Sequence, residues 1–109
     1  MQKPLKITFR NMEPSEAVEA HVLRRMKELE KRFDRIVDCE VVIEAAARKR
    51  ISGRAFKVHV NLHVPGQDID LARLIGRGAA ADNISLAVHE AFSAAARRLL
   101  DRKQQMAGH

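Results

Sequence analysis

The sequence predicts an α+β fold of order β-α-β-β-β-α, with two helices packed on one face of a four-stranded mixed sheet. Three observations lead there. Alternating apolar runs at 5–10 and 37–44 bracket a stretch whose apolar residues recur at helical spacing, the pattern of a crossover between parallel strands. A longer alternation runs from Phe56 to Val64, and a second helical stripe closes the chain. At 109 residues, the chain 1–109 is read as a single domain with one layered core.

Each element rests on its own residues. Leu5, Ile7 and Phe9 alternate with Lys6, Thr8 and Arg10, which makes a half-buried first strand. Ser15 is suited to cap the helix that follows, and Glu16 to sit at the positive end of its dipole. Val18, Val22, Met26, Leu29 and Phe33 then fall in one narrow stripe. Asp34 to Ile36 turns the chain, and Val37 to Glu44 returns as a second strand in which Val37, Cys39, Val41 and Ile43 alternate. Ser52-Gly53 has turn chemistry. Phe56, Val58, Val60, Leu62 and Val64 alternate with Lys57, His59, Asn61 and His63, the clearest strand in the chain, and Pro65-Gly66 marks a tight turn. Ile69 and Leu71 suggest a short fourth strand, and residues 75–83 read as an irregular loop. The last helix is expected from about Asn83 to Gln104, with Ile84, Val88, Ala91, Phe92, Ala95 and Leu99 on one side. The polar tail after it is expected to fray.

Composition narrows the partners. Lys and Arg total 20 against 14 Asp and Glu, a formal charge of +6. That excess suits a polyanion, although solubility alone explains a charge of this size equally well. Position is more telling than amount. Projected at about 100° per residue, the first helix carries Glu16, Glu19 and Glu30 on one flank of its stripe. Arg24, Lys27 and Lys31 lie on the outward face; His21, Arg25 and Arg32 border the other flank, with Glu28 among them. The second helix ends in Arg97, Arg98, Arg102 and Lys103 against Asp101 alone, and Arg48, Lys49, Arg50, Arg54 and Lys57 form a third basic cluster. One such helix is an ordinary solvated face; three clusters on one small domain favour phosphate binding.

The chain has no Tyr or Trp, and its four Phe residues sit on inward stripes. A sheet that stacks unpaired bases needs exposed aromatics, so contacts to the backbone of structured RNA are expected instead. His59 and His63 share a strand face about 13 Å apart, too far to hold one metal ion, and read as polar residues of the open sheet face. Cys39, the single cysteine, reads as a small core residue in a protein of a reducing compartment. The glycines of "IGRG" lack the strand, spacing and Lys of a phosphate-binding loop. His89 with Ser85 or Ser93 has no third partner, so no enzyme, cofactor or metal is expected. The N-terminus has no apolar stretch long enough for a signal peptide, and no segment could span a bilayer.

"EAVEAHVLRRMKELEKRFDRIVDCEVVIE" (16–44) resembles the first helix and second strand of the ribosome hibernation-promoting factor and ribosome-associated inhibitor family, above all in Glu28-Leu29-Glu30-Lys31-Arg32-Phe33-Asp34-Arg35. "AVHEAFSAAARRLLDRK" (87–103) is similar to that family's last helix, and the resemblance covers nearly the whole chain. It implies a double-stranded-RNA-binding-domain-like fold that binds the small ribosomal subunit and its rRNA near the decoding centre, silencing ribosomes under stress in the cytoplasm. Arg25, Lys31 and Arg35 match basic positions of the family's first helix; Arg97, Arg102 and Lys103 match positions of its last. Together with Arg24, Arg32 and Arg98 from the basic clusters, these are the expected RNA contacts. Three features depart from the pattern: Ala94 where a Lys is usual, Ser85 where a Tyr is common, and a longer loop at 72–82. Neither DNA nor a membrane is an expected partner, and strong self-association is not expected of a chain whose tail leaves no room for another core. The competing reading is a module that docks an acidic protein through the same basic face, with outward Leu86 and Leu100 as its apolar contacts.

Overall fold

A computed structural model describes residues 5–46, 55–66, 68–75 and 80–107. The order is β1 (Leu5–Arg10), α1 (Glu16–Arg32), β2 (Asp38–Ala46), β3 (Ala55–His63), β4 (Ile69–Ile75) and α2 (Ala80–Ala107). The strands form one sheet in the order β1-β2-β3-β4. The crossover pairs β1 with β2 in parallel, Ile7 beside Val41, as expected of a strand-helix-strand unit. β2 with β3 and β3 with β4 are antiparallel, Val41 opposite Val60 and Val60 opposite Leu71.

Helix α1 begins where Ser15 turns extended and its hydroxyl accepts a hydrogen bond from Val18 N–H at 3.3 Å. Glu16 and Glu19 stand in the first turn, where the helix dipole favours carboxylates. It ends at Phe33, whose N–H still reaches Leu29 O at 2.9 Å although its backbone is already extended. Val22, Met26, Leu29 and Phe33 are buried, the stripe read from the sequence.

One face of the sheet carries the core. Cys39, Val41 and Ile43 from β2 and Phe56, Val58, Val60 and Leu62 from β3 are all 2% exposed or less, and the inward residues of both helices complete the same cluster. Helix α2 packs over β3 and β4, while α1 lies alongside α2.

The structure shifts several boundaries. Val37 is 58% exposed and precedes β2, whereas Ile36, read as part of the turn, is buried. Val37 N–H donates to His63 O at 2.7 Å, so the chain is tied to β3 before its regular alternation starts at Asp38. Strand β4 is longer than Ile69 and Leu71 suggested. Exposed Arg73 interrupts its apolar alternation while the backbone continues pairing with β3. The loop read over 75–83, and its longer form over 72–82, shrinks accordingly: 72–75 is strand and 80–83 helix. Alanines at 80 and 81 carry helix propensity without an apolar stripe to announce it. The end of α2 likewise extends to Ala107, into the tail expected to fray. The Ser52-Gly53 turn and the rest of the "IGRG" loop lie outside the described residues.

The β3–β4 connection matters for the site. Gly66 has φ +95°, a left-handed conformation that side-chain-bearing residues rarely adopt. A Cβ there would stand 3.5 Å from an Arg102 guanidinium nitrogen, so this turn and the late part of α2 are in contact.

Candidate nucleic-acid interface

The expected basic residues of α1 fall as the projection placed them. Arg24, Lys27 and Lys31 are exposed. Arg25 and Arg32 line a groove of about 100 Å³ between the helices, with Glu28, Leu29, Phe92, Ser93 and Ala96. Arg25 Nη1 donates to Glu28 Oε1 at 3.2 Å, and the Arg32 guanidinium lies 5.3 Å from the Phe33 ring centroid. Arg35 is exposed just past the helix.

Topology then brings the two basic helix halves together. His21 faces Ser85 and His89, while Arg25 to Arg32 face Phe92 to Ala96, so α1 and α2 run parallel. Their C-terminal halves consequently share one end of the fold. Arg24, Arg25, Lys27, Lys31, Arg32, Arg35, Arg97, Arg98 and Arg102 gather there against Glu28, Glu30, Asp34 and Asp101: nine cations to four carboxylates. The uncovered sheet face is different. On its strands Lys6, Arg10 and Lys57 are outnumbered by Asp38, Glu40, Glu44 and Asp70. The described positive charge is thus concentrated at the helical end rather than on the sheet face. Complementing the helix dipole accounts for Lys31 and Arg32 in the last turn of α1 but not for the cations of α2, which has none in its last turn.

Arg97 and Arg98 are exposed, but Arg102 is half-buried against the Gly66 turn, with Nη1 buried and unpartnered. Projected at about 100° per residue, Arg102 lies near the middle of the core-facing arc of α2, which the charge count alone concealed. Lys103 follows on the helix, its side chain outside the described residues, as are Arg48, Lys49, Arg50 and Arg54 of the third cluster. Ala94 is only 4% exposed and belongs to the core. Ser85 is exposed beside His21.

The open sheet face carries pairings that spacing did not reveal. His59 contacts Asp70, and His63 bonds Asp38 through Nδ1 while its Nε2 lies 3.5 Å from Asp68. The hydrogen bond that the His63 ring donates to Asp38 raises its pKa, helped by the charges of Asp38, Asp68 and Glu40. A raised folded-state value means that protonation favours folding. The contribution is full below the unfolded pKa of about 6.5 and disappears as pH rises through the raised value. Asp38→Asn should therefore lower the urea midpoint more at pH 5.5 than at pH 8.5. A loss that is equal at both values would detach His63 from this pairing. No group of three or more His, Cys, Asp or Glu suited to a metal occurs among the described residues.

The family model described as sigma 54 modulation protein / S30EA ribosomal protein matches residues 5–107. The chain belongs to this family. Among solved structures, a ribosomal subunit interface protein from Coxiella burnetii aligns with TM-score 0.69 at 14% identity, covering 91% of this chain and 96% of that one. The N-terminal domain of Protein Y from Thermus thermophilus aligns with TM-score 0.61 at 18% identity, covering 88% and 98%. These likenesses establish the fold. No curated protein matches the sequence significantly.

Within this S30EA-family chain, rival chemistry finds little support. Cys39 is buried, and burial pushes its thiol up to about 12, so it is not a ready nucleophile. In the inter-helix groove the one lining carboxylate, Glu28, is tied to Arg25, which leaves no free base beside Ser93. Leu86 and Leu100 are indeed exposed, at 46% and 38%, but 14 residues of helix separate them by about 21 Å. They do not make one apolar patch. Among the described residues, no helix is long and apolar enough to cross a membrane.

Proposed function

We propose that this chain is a cytoplasmic ribosome hibernation factor that binds small-subunit rRNA near the decoding centre, where tRNA and mRNA would otherwise pass. Membership of the S30EA family supports the ribosomal partner. The observation that carries the reading is the parallel packing of α1 and α2, which concentrates Arg24, Lys31, Arg32, Arg35, Arg97 and Arg98 at one end of the fold. Inhibition then needs no chemistry: the domain occupies a phosphate-lined surface and excludes other ligands from it. With no aromatic platform, contacts go to the backbone of folded rRNA and read its shape.

Salt tests the electrostatic part. Each phosphate neutralised releases counterions, so affinity for small subunits should fall roughly a thousandfold or more between about 50 and 200 mM salt if six or more phosphates are contacted. Co-sedimentation across that range measures it. An affinity that stays flat would point to an apolar protein partner instead.

A further inference from the structure

The core is left uncovered at one margin. Strand β1 is an edge of the sheet, and among the described residues no strand pairs its outer side. Its inward residues Leu5, Ile7 and Phe9 are only partly buried, whereas Cys39, Val41 and Ile43 of neighbouring β2 are 2% exposed or less. Because α2 covers β3 and β4 and α1 lies beside it, the flank of α1 away from α2 overhangs this margin. Projected at about 100° per residue, that flank carries Glu16, Glu19, Leu23 and Glu30, bordered on the outward side by Lys27. Leu23 is 46% exposed. None of the three glutamates makes an ion pair among the described residues. The helix dipole accounts for Glu16 and Glu19 in the first turn. It disfavours Glu30, a half-buried carboxylate in the last turn. Burial, then the charges of Asp38 and Glu30, raises the Cys39 thiol, which puts Glu30 over the start of β2 and over Leu5 paired to it. An open strand edge beneath an apolar margin and unpaired carboxylates suits an extended basic chain.

We propose that the β1 edge docks an extended protein segment of the pattern Arg/Lys-x-apolar-x-Arg/Lys, added to the sheet as a fifth strand. Main-chain hydrogen bonds to the outer side of β1 hold it in place. Alternate side chains then face the helix layer. The central apolar residue meets Ile7 and Leu23. The two cations lay their stems over Leu5 and Phe9 and carry their charges to Glu30 and Glu19. The lengths agree. Glu19 and Glu30 are 11 residues of helix apart, about 16 Å. Cations four residues apart on a strand are separated by about 13 Å, and their side chains span the difference. The other side of the segment lies beside Lys6, Thr8 and Arg10 of the open sheet face, where neutral polar residues fit. A second copy of the chain fits poorly. Antiparallel pairing of two β1 edges about a twofold axis would set both glutamate flanks against each other. This site lies on the flank of α1 opposite Arg25 and Arg32, so it stands independently of the rRNA-binding reading.

The probe is the peptide acetyl-Thr-Arg-Thr-Val-Thr-Arg-Thr-amide, titrated into the full chain at low ionic strength with NMR detection. The backbone amides of Leu5–Arg10 and the Leu23 methyl groups should shift together and saturably. Replacing both peptide arginines by glutamate should abolish binding. N-methylating alternate peptide residues should abolish it for one set and be tolerated for the other, because only one set of N–H groups faces β1. Glu19→Gln combined with Glu30→Gln should weaken binding about tenfold and flatten its salt dependence. The thermal transition should stay in place, since one favourable and one unfavourable dipole contact are lost together. Arg97→Gln should change neither affinity nor salt dependence. Equal binding of the glutamate peptide, the same response to both N-methylated sets, or shifts centred on the open sheet face would overturn the site. So would the absence of a saturable shift at millimolar peptide. β1 amides that shift with protein concentration alone would give the edge to a second copy and overturn the proposal equally.

Discussion

Replacing Arg24, Lys31 and Arg97 together by glutamate should lower affinity for small ribosomal subunits by about a hundredfold or more while leaving the thermal transition in place. All three are exposed, so the substitutions disturb no packing. Losing one phosphate attraction at contact distance in water costs roughly 1 kcal/mol, about 3 kcal/mol for the three before any repulsion by the new carboxylates is added. The salt dependence should become shallower by about three units of slope, one for each phosphate contact removed. The control is Lys6, Arg10 and Lys57, exposed cations of the open sheet face, reversed in the same way. That triple changes net charge equally but adds to a surface already rich in Asp and Glu, so binding should weaken only modestly. Losses of the same size from both triples would mean that net charge alone drives association. The helical end would then have no special place in it.

How far the sequence went follows from which forces act locally. The β1, α1 and β3 assignments needed only periodicity, because each element buries one face, and burial imposes a period of two or of 3.6. The parallel pairing of Leu5–Arg10 with β2 followed from chain length between strands. Where burial does not dictate the residue, the pattern failed. Arg73 in β4 is solvent-facing at a position where alternation would place an apolar residue, so pairing with Val58 was invisible. Ala80 and Ala81 extend α2 by propensity rather than by stripe. At the site, individual exposure was legible for Arg24, Lys27, Lys31 and Arg97, since a helical projection predicts it. The approach of Arg102 to Gly66 was not, because it depends on where a distant hairpin turn comes to rest. Nor were the His63–Asp38 pairing and the seam of His21 against α2, both of which join residues far apart in the chain.

Phe56→Ala should cost about 3–5 kcal/mol, a large share of the roughly 5–15 kcal/mol that holds a domain of this size together. Phe56 is 1% exposed and heads the fully buried side chains by volume. It lies on an interior strand, opposite Ala45 of β2 and Ile75 of β4. Ladders on both sides pin the backbone of β3, and Ala45 is too small to reach into the space a lost ring would leave. The cavity can therefore close only partly, which places the cost toward the upper part of that range. Val37→Ala, at a site 58% exposed, should change stability by no more than about 0.5 kcal/mol. Urea unfolding of both variants measures the contrast, with an unchanged m-value confirming that the folded state and the unfolded state keep their compactness. A cost for Phe56→Ala below about 1 kcal/mol would show that the start of β3 packs loosely. The consequence for ribosome binding is separable: below its lowered transition the variant should bind as the unaltered chain does, because Phe56 lies under the helical layer and the cations lie on top of it.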